Sequence, residues 1–139
     1  MKLGITGTQH GMSRPQLSRM IELLMMVKAE SEIEEVHHGD CIGVDSEFIA
    51  MIRVGFPETY IVCHPPIIFT KRAMVASHIT LDPKPYLERN KDIVDAVDLM
   101  FAAPRTMKEE LRSGTWATIR YARKQNRHTI IVWPDGTNT

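Results

Sequence analysis

Short apolar runs recur along this chain and alternate with longer stretches of helical spacing. Residues 2–6, 34–38, 59–63, 98–102 and 128–133 each read as a strand, and Ile130, Ile131 and Val132 form an unbroken apolar centre in the last. Between them, Leu17, Met20, Ile21, Leu24 and Met25 fall at helical spacing. Phe48, Ile49 and Ile52 do the same before Gly55, and Leu87, Asn90, Val94 and Val97 follow Pro85 at near-helical spacing. A helix over 113–126 precedes the last strand. Ser13 and Gln16 make a capping box with Pro15 in the first turn, so the first helix starts there. The methionines on these helices read as core filler.

Continuous rather than alternating apolar strands indicate a parallel sheet covered on both faces. The prediction is therefore an α/β fold: one Rossmann-like domain over 1–139, with five parallel strands and helices on both faces. Residues 65–83, bracketed by Pro65, Pro66, Pro83 and Pro85, read as irregular, with a short helix near 72–77.

Right-handed crossovers bring every strand-to-helix turn to one edge of such a sheet, where ligands bind. Three turns there carry glycine or hydroxyl groups: 7–13, 39–45 and 113–116. Ser113-Gly-Thr-Trp116 opens a helix, whose exposed amides and dipole suit a phosphate. Gly7, Thr8 and Gln9 supply a second wall, and Gly39, Asp40 and Asp45 a third. Asp45 is also placed to cap a helix, and Asp45 and Asp40 together to face a sugar hydroxyl. Arg72, in the long loop, is a candidate to close over a phosphate. Arg89 and Asn90 are candidates on the helix after Pro85, where Arg89 could equally pair with Glu88 or Asp92. Trp116 suits either stacking on a base or filling the gap between helix and sheet.

Composition narrows the partners. The chain has 17 basic and 17 acidic residues and a net charge of zero, which disfavours tracking along a nucleic-acid backbone. Arg112, Arg120, Arg123, Lys124 and Arg127 do cluster late in the chain, but without interleaved aromatics they read as a solvated face. Gly4, Gly7 and Gly11 lack the GxGxxG spacing, and no P-loop occurs, so neither a resident dinucleotide cofactor nor ATPase chemistry is expected. Cys41 and Cys63 form no CxxC pattern and the six histidines no ligand spacing, so no metal is expected. No apolar run reaches the roughly 20 residues of a membrane span. The chain turns polar by Thr6, so no secretory signal and a cytoplasmic location are expected. Homo-oligomers are common in this fold, and no single stripe in the sequence marks an interface.

Gly4-Ile-Thr-Gly-Thr8, His38-Gly-Asp-Cys-Ile-Gly-Val-Asp45, Tyr86-Leu-Glu-Arg-Asn90 and Ser113-Gly-Thr115 together resemble the SLOG superfamily. The likeness is to its YspA/YpsA-related branch of bacterial and phage genomes. It implies a Rossmann-like fold and a nucleotide or nucleotide-derived ligand. Lonely Guy phosphoribohydrolases and DNA-processing protein A are more distant members. Resemblance to the former matches Arg89 to their arginine and Gly114-Thr115 to their glycine-rich turn, and it implies catalytic roles for Arg89 and a carboxylate. Thr118 stands where those enzymes carry the catalytic glutamate. A hydroxyl does not replace that carboxylate, so Asp40, with Asp45, Glu88 and Glu110 as alternatives, is the candidate to supply one. The expectation is a nucleotide-binding domain. The alternatives are a nucleoside monophosphate phosphoribohydrolase and a module for single-stranded DNA.

Overall fold

The computed structural model describes residues 1–139. In chain order it contains β1 (Lys2–Gly7), α1 (Arg14–Glu30), β2 (Glu35–His38), α2 (Val44–Gly55), β3 (Tyr60–Cys63) and a single 3₁₀ turn (Phe69–Lys71). There follow β4 (Ile79–Thr80), α3 (Tyr86–Ala96), β5 (Leu99–Ala103), α4 (Gly114–Lys124) and β6 (His128–Ile131). The strands form one sheet in the order β4-β3-β2-β1-β5-β6, and every pair is parallel. The α/β reading therefore holds, with six strands in place of five.

The added strand is β4. Two exposed residues carry no readable alternation, and Ile79–Thr80 becomes a strand only because Val62 and Cys63 of β3 offer a pairing edge. The helix expected near 72–77 is absent. That stretch is irregular past the 3₁₀ turn, with Met74 at φ +58°, because its backbone is tied to Asp40, as described below.

The chain steps outward from β1 to β4, then returns to β5 on the other side of β1. Right-handed crossovers put α1 and α2 on one face of the sheet and α3 and α4 on the other. The side chains agree. Leu3 and Ile5 of β1 pack with Leu23, Leu24, Phe48, Ile49 and Ile52 from α1 and α2, whereas Met100 of β5 packs with Ile93, Val94 and Ala122 from α3 and α4. Hence β1 and β5 are the neighbours whose following helices lie on opposite faces, and their carboxyl ends flank the switch point.

The first helix starts where the sequence indicates. Gln16 N donates to Ser13 Oγ at 3.1 Å, and Ser13 N donates to Gln16 Oε1 at 2.9 Å. Gln16 Nε2 also donates to the carbonyls of Pro104 and Val132, each at 2.9 Å, so the cap fastens α1 to the ends of β5 and β6. The second helix differs from expectation, because its N-cap is Gly43 and Asp45 lies within its first turn. Gly43 has φ +92° and a Cβ there would lie 2.5 Å from the Gln9 backbone, so only glycine lets the turns after β1 and β2 touch.

Candidate functional site

At the carboxyl edge of the sheet lies a cavity of about 410 Å³. Its walls come from the turns after β1, β2 and β5, with α3 closing one side. Of the residues singled out in the sequence, Gly7, Thr8, Gln9, Gly39, Asp45, Arg89, Asn90, Ser113, Gly114, Thr115 and Trp116 line it. Asp40 and Arg72 do not.

The α4 end of the cavity offers unused donors. Ser113 caps the helix by accepting from Trp116 N at 3.3 Å. The amides of Gly114 and Thr115 meet no acceptor in the chain, and neither does the amide of Gln9 across the cavity. Helix starts leave such amides free by construction, and free amides on facing turns form an anion cradle.

Arg89 forms the floor. It is only 5% exposed. One of its terminal nitrogens donates to the Gly39 carbonyl and, at 3.0 Å, to the His64 carbonyl. Its Nε donates to Asn90 Oδ1 at 2.6 Å and its other terminal nitrogen to Cys41 Sγ at 3.3 Å. None of these partners is a carboxylate, so the surface pairing open to it in the sequence does not form. Gly39 makes the placement possible, because a Cβ there would lie 2.7 Å from Arg89 Cζ. A buried guanidinium held by neutral acceptors keeps its charge available to an anion.

Asp45 is the carboxylate beside it. Its Oδ2 accepts from the amides of Gly39 at 2.9 Å and Cys41 at 3.3 Å, which braces the turn after β2. Its Oδ1 has no partner in the chain. Burial pushes its carboxyl up to about 6, against the pull of Arg89 and the two amides. Burial likewise pushes the Cys41 thiol up, so it is not a ready thiolate.

Asp40 has a different occupation. It is fully buried with φ +56°. Arg72 Nε donates to its Oδ2 at 2.8 Å, Val75 N to its Oδ1 at 2.9 Å, and Ala73 N to its carbonyl at 2.8 Å. Asp40 and Arg72 thus fasten residues 72–75 beneath the sheet edge. His38, Asp40 and Cys63 bring potential ligand atoms within 4.8 Å of one another. His38 Nδ1 already accepts the Asp40 amide at 3.0 Å, and both Asp40 oxygens are taken. Burial also holds His38 down to about 4.

Trp116 is 3% exposed and packs with Ala102, Ile119 and Ile131, its ring 5.8 Å from that of Trp133. It fills the gap between helix and sheet, and its buried Nε1 has no acceptor. Thr118 Oγ1 donates to the Gly114 carbonyl at 2.9 Å and is not part of the lining.

The structure adds residues that the sequence left out of the site. Cys41, His10, Lys71, Tyr86 and Arg105 line the cavity, and so does Arg112, which in the sequence reads as part of a basic face; Glu110, an alternative carboxylate in the sequence, lines it too. Most of them lie within a few residues of a strand end or a helix start on the ligand-facing edge, which was the available signal. The lining as a whole is net cationic: Lys71, Arg89, Arg105 and Arg112 outnumber Asp45 and Glu110. The basic residues of α4 are less free. Arg120 pairs with Glu109 at 2.8 Å, and Arg123 lies over the Trp116 ring at 6.0 Å. No helix is long and apolar enough to cross a membrane.

No family model and no curated protein matches the sequence. Two solved structures share the fold. A molybdenum cofactor binding protein from Rippkaea orientalis superposes with a TM-score of 0.71 at 17% identity, covering 95% of this chain and 76% of that one. DNA processing protein A from Helicobacter pylori, a single-stranded DNA binder, superposes with a TM-score of 0.60 at 18% identity, covering 94% of this chain and 64% of that one. At these identities the likeness establishes the fold: a parallel Rossmann-like sheet common to a cofactor binder and a DNA binder.

Proposed function

We propose that the chain binds a nucleotide or nucleotide-derived ligand in the cavity at the carboxyl edge of its sheet, as its resemblance to the YspA/YpsA-related branch of the SLOG superfamily implies. The carrying observation is the pairing of free amides at Gln9, Gly114 and Thr115 with a buried guanidinium, Arg89, that has no carboxylate partner. A phosphate seats on the amides, with Arg105 and Arg112 at the rim. A sugar hydroxyl donates to Asp45 Oδ1. A volume of about 410 Å³ suits a mononucleotide-sized ligand. Asp40 and Arg72 act from beneath, holding the wall rather than the ligand.

Calorimetry against AMP, ADP-ribose and cyclic nucleotides tests this reading. Binding that is lost with competing inorganic phosphate supports it. No heat with any of them at millimolar concentration overturns it.

One observation favours a catalytic extension. A carboxyl held near 6 beside a fixed cation is suited to proton transfer at neutral pH, so Asp45 is the group that takes over the acid–base role vacated at Thr118. The activity is N-glycosidic hydrolysis of a nucleoside monophosphate. Release of free base and ribose phosphate, detected by chromatography and abolished by Asp45→Asn, is the expected result. Intact nucleotide after prolonged incubation leaves binding alone.

A further inference from the structure

Away from the cavity, α1 and α2 leave an apolar groove of about 800 Å³ along their outer surfaces. On α1, Leu17, Ile21 and Met25 recur every four residues along it, and Met51 and Val54 face them from α2. The helical face predicted for the core thus divides. Met20, Leu23 and Leu24 are buried against the sheet, whereas Ile21 is 46%, Met25 63% and Val54 87% exposed. A contiguous exposed apolar surface of this kind is where a partner surface gains most by docking.

We propose that this groove is the interface of a two-fold symmetric dimer of this chain. The charges at its ends select that occupant. Both helices start at the carboxyl edge of the sheet and run back in the same direction. Glu47 lies in the first turn of α2 and Lys28 in the last turn of α1, and both line the groove. The groove therefore carries an anion at one end and a cation at the other, with apolar side chains between. A two-fold axis crossing its middle sets each protomer's Lys28 against the other's Glu47, twice, and lays the apolar centres together. Such a face is its own complement, as an isologous contact requires. Both charges are free to change partners. Glu47 uses Oε1 to accept the Met12 amide at 2.7 Å, which leaves Oε2. Lys28 meets only Glu32 in an exposed pair, which holds it weakly. Methionines adapt their shape across such a contact at little cost.

Sedimentation of the full chain from about 1 to 100 µM tests the assignment, with a dimer of Kd at or below about 10 µM expected. Val54→Glu puts a carboxylate into the seam twice per dimer, at the end where the two-fold axis brings the partner's Glu47, and raises Kd at least about 100-fold. Because Val54 is 87% exposed in the protomer, that variant keeps its circular dichroism spectrum and melting point at low concentration. Lys28→Glu sets like charges together and raises Kd about tenfold, while Lys28→Arg leaves it within about threefold. A monomer at every concentration, or a dimer indifferent to Val54→Glu, overturns the proposal. A dimer that Val54→Glu dissolves and Lys28→Glu leaves unchanged overturns the two-fold register.

Discussion

Asp45→Asn separates the cost of a charge from the role of a brace. In the folded chain the Asp45 carboxyl is pushed from 3.8 to about 6, chiefly by burial. Folding therefore favours its protonated form. Between those two values the folded state holds a proton that the unfolded state has released, so this group's contribution to stability falls as pH rises. Above about pH 6 the full cost is present: roughly two pH units at 1.4 kcal/mol each, about 3 kcal/mol. Asparagine keeps an oxygen for the Gly39 and Cys41 amides and has no charge to bury. The expected outcome is a variant close to wild type at pH 4 and up to about 3 kcal/mol more stable at pH 7.5, most of the difference opening between those values. Urea unfolding across that range measures it. Ligand affinity moves the other way, because the amide NH₂ now faces the cavity where a free carboxylate oxygen accepted. A variant that is less stable than wild type by the same amount at every pH refutes the reasoning. It would mean that the ionised carboxylate is well compensated by Arg89 and the two amides.

Three further outcomes follow from single contacts. Gly39→Ala places a methyl 2.7 Å from Arg89 Cζ, so it costs about 1–3 kcal/mol in thermal unfolding and removes nucleotide binding with it. Arg112→Ala, at an exposed rim position, leaves the melting point within about a degree but weakens nucleotide binding about fivefold to tenfold and flattens its salt dependence. Gln16→Ala removes one partner of the capping box and two buried hydrogen bonds to the ends of β5 and β6, and loses about 2–4 kcal/mol in urea unfolding.

The fold was legible because its signals are local. Ser13, Pro15 and Gln16 announce a helix start without reference to anything distant, and Ile130 to Val132 announces a buried strand. The failures occur where structure is imposed from outside. Nothing within Ile79–Thr80 specifies a strand, since its pairing is set by β3. Nothing within 72–77 forbids a helix. Its backbone is held in a non-helical path, with Met74 at φ +58°, by an aspartate more than thirty residues away. The groove on α1 and α2 was hidden for the same reason, because periodicity reports that Ile21 and Met25 share a helix with Leu24 but not which of them meets the sheet.

The two aspartates mark the limit most sharply. Asp40 and Asp45 stand five residues apart in one glycine-rich turn, and composition assigns both to a ligand. The backbone separates them. Asp40 adopts φ +56°, which turns its side chain under the sheet edge toward Arg72 and the Val75 amide. Asp45 enters the helix one turn later and directs its carboxylate back along the turn it follows, into the cavity beside Arg89. Arg72 and Arg89, both candidates for the ligand in the sequence, part in the same way. The loop arginine is spent on structure, while the helix arginine meets no carboxylate of its own helix, because Gly39 leaves room for it and offers a carbonyl instead. The anion site proposed above needs a cation with no hydrogen-bonded carboxylate, held out of bulk water. That property belongs to the partners a residue lacks, which only the assembled fold decides.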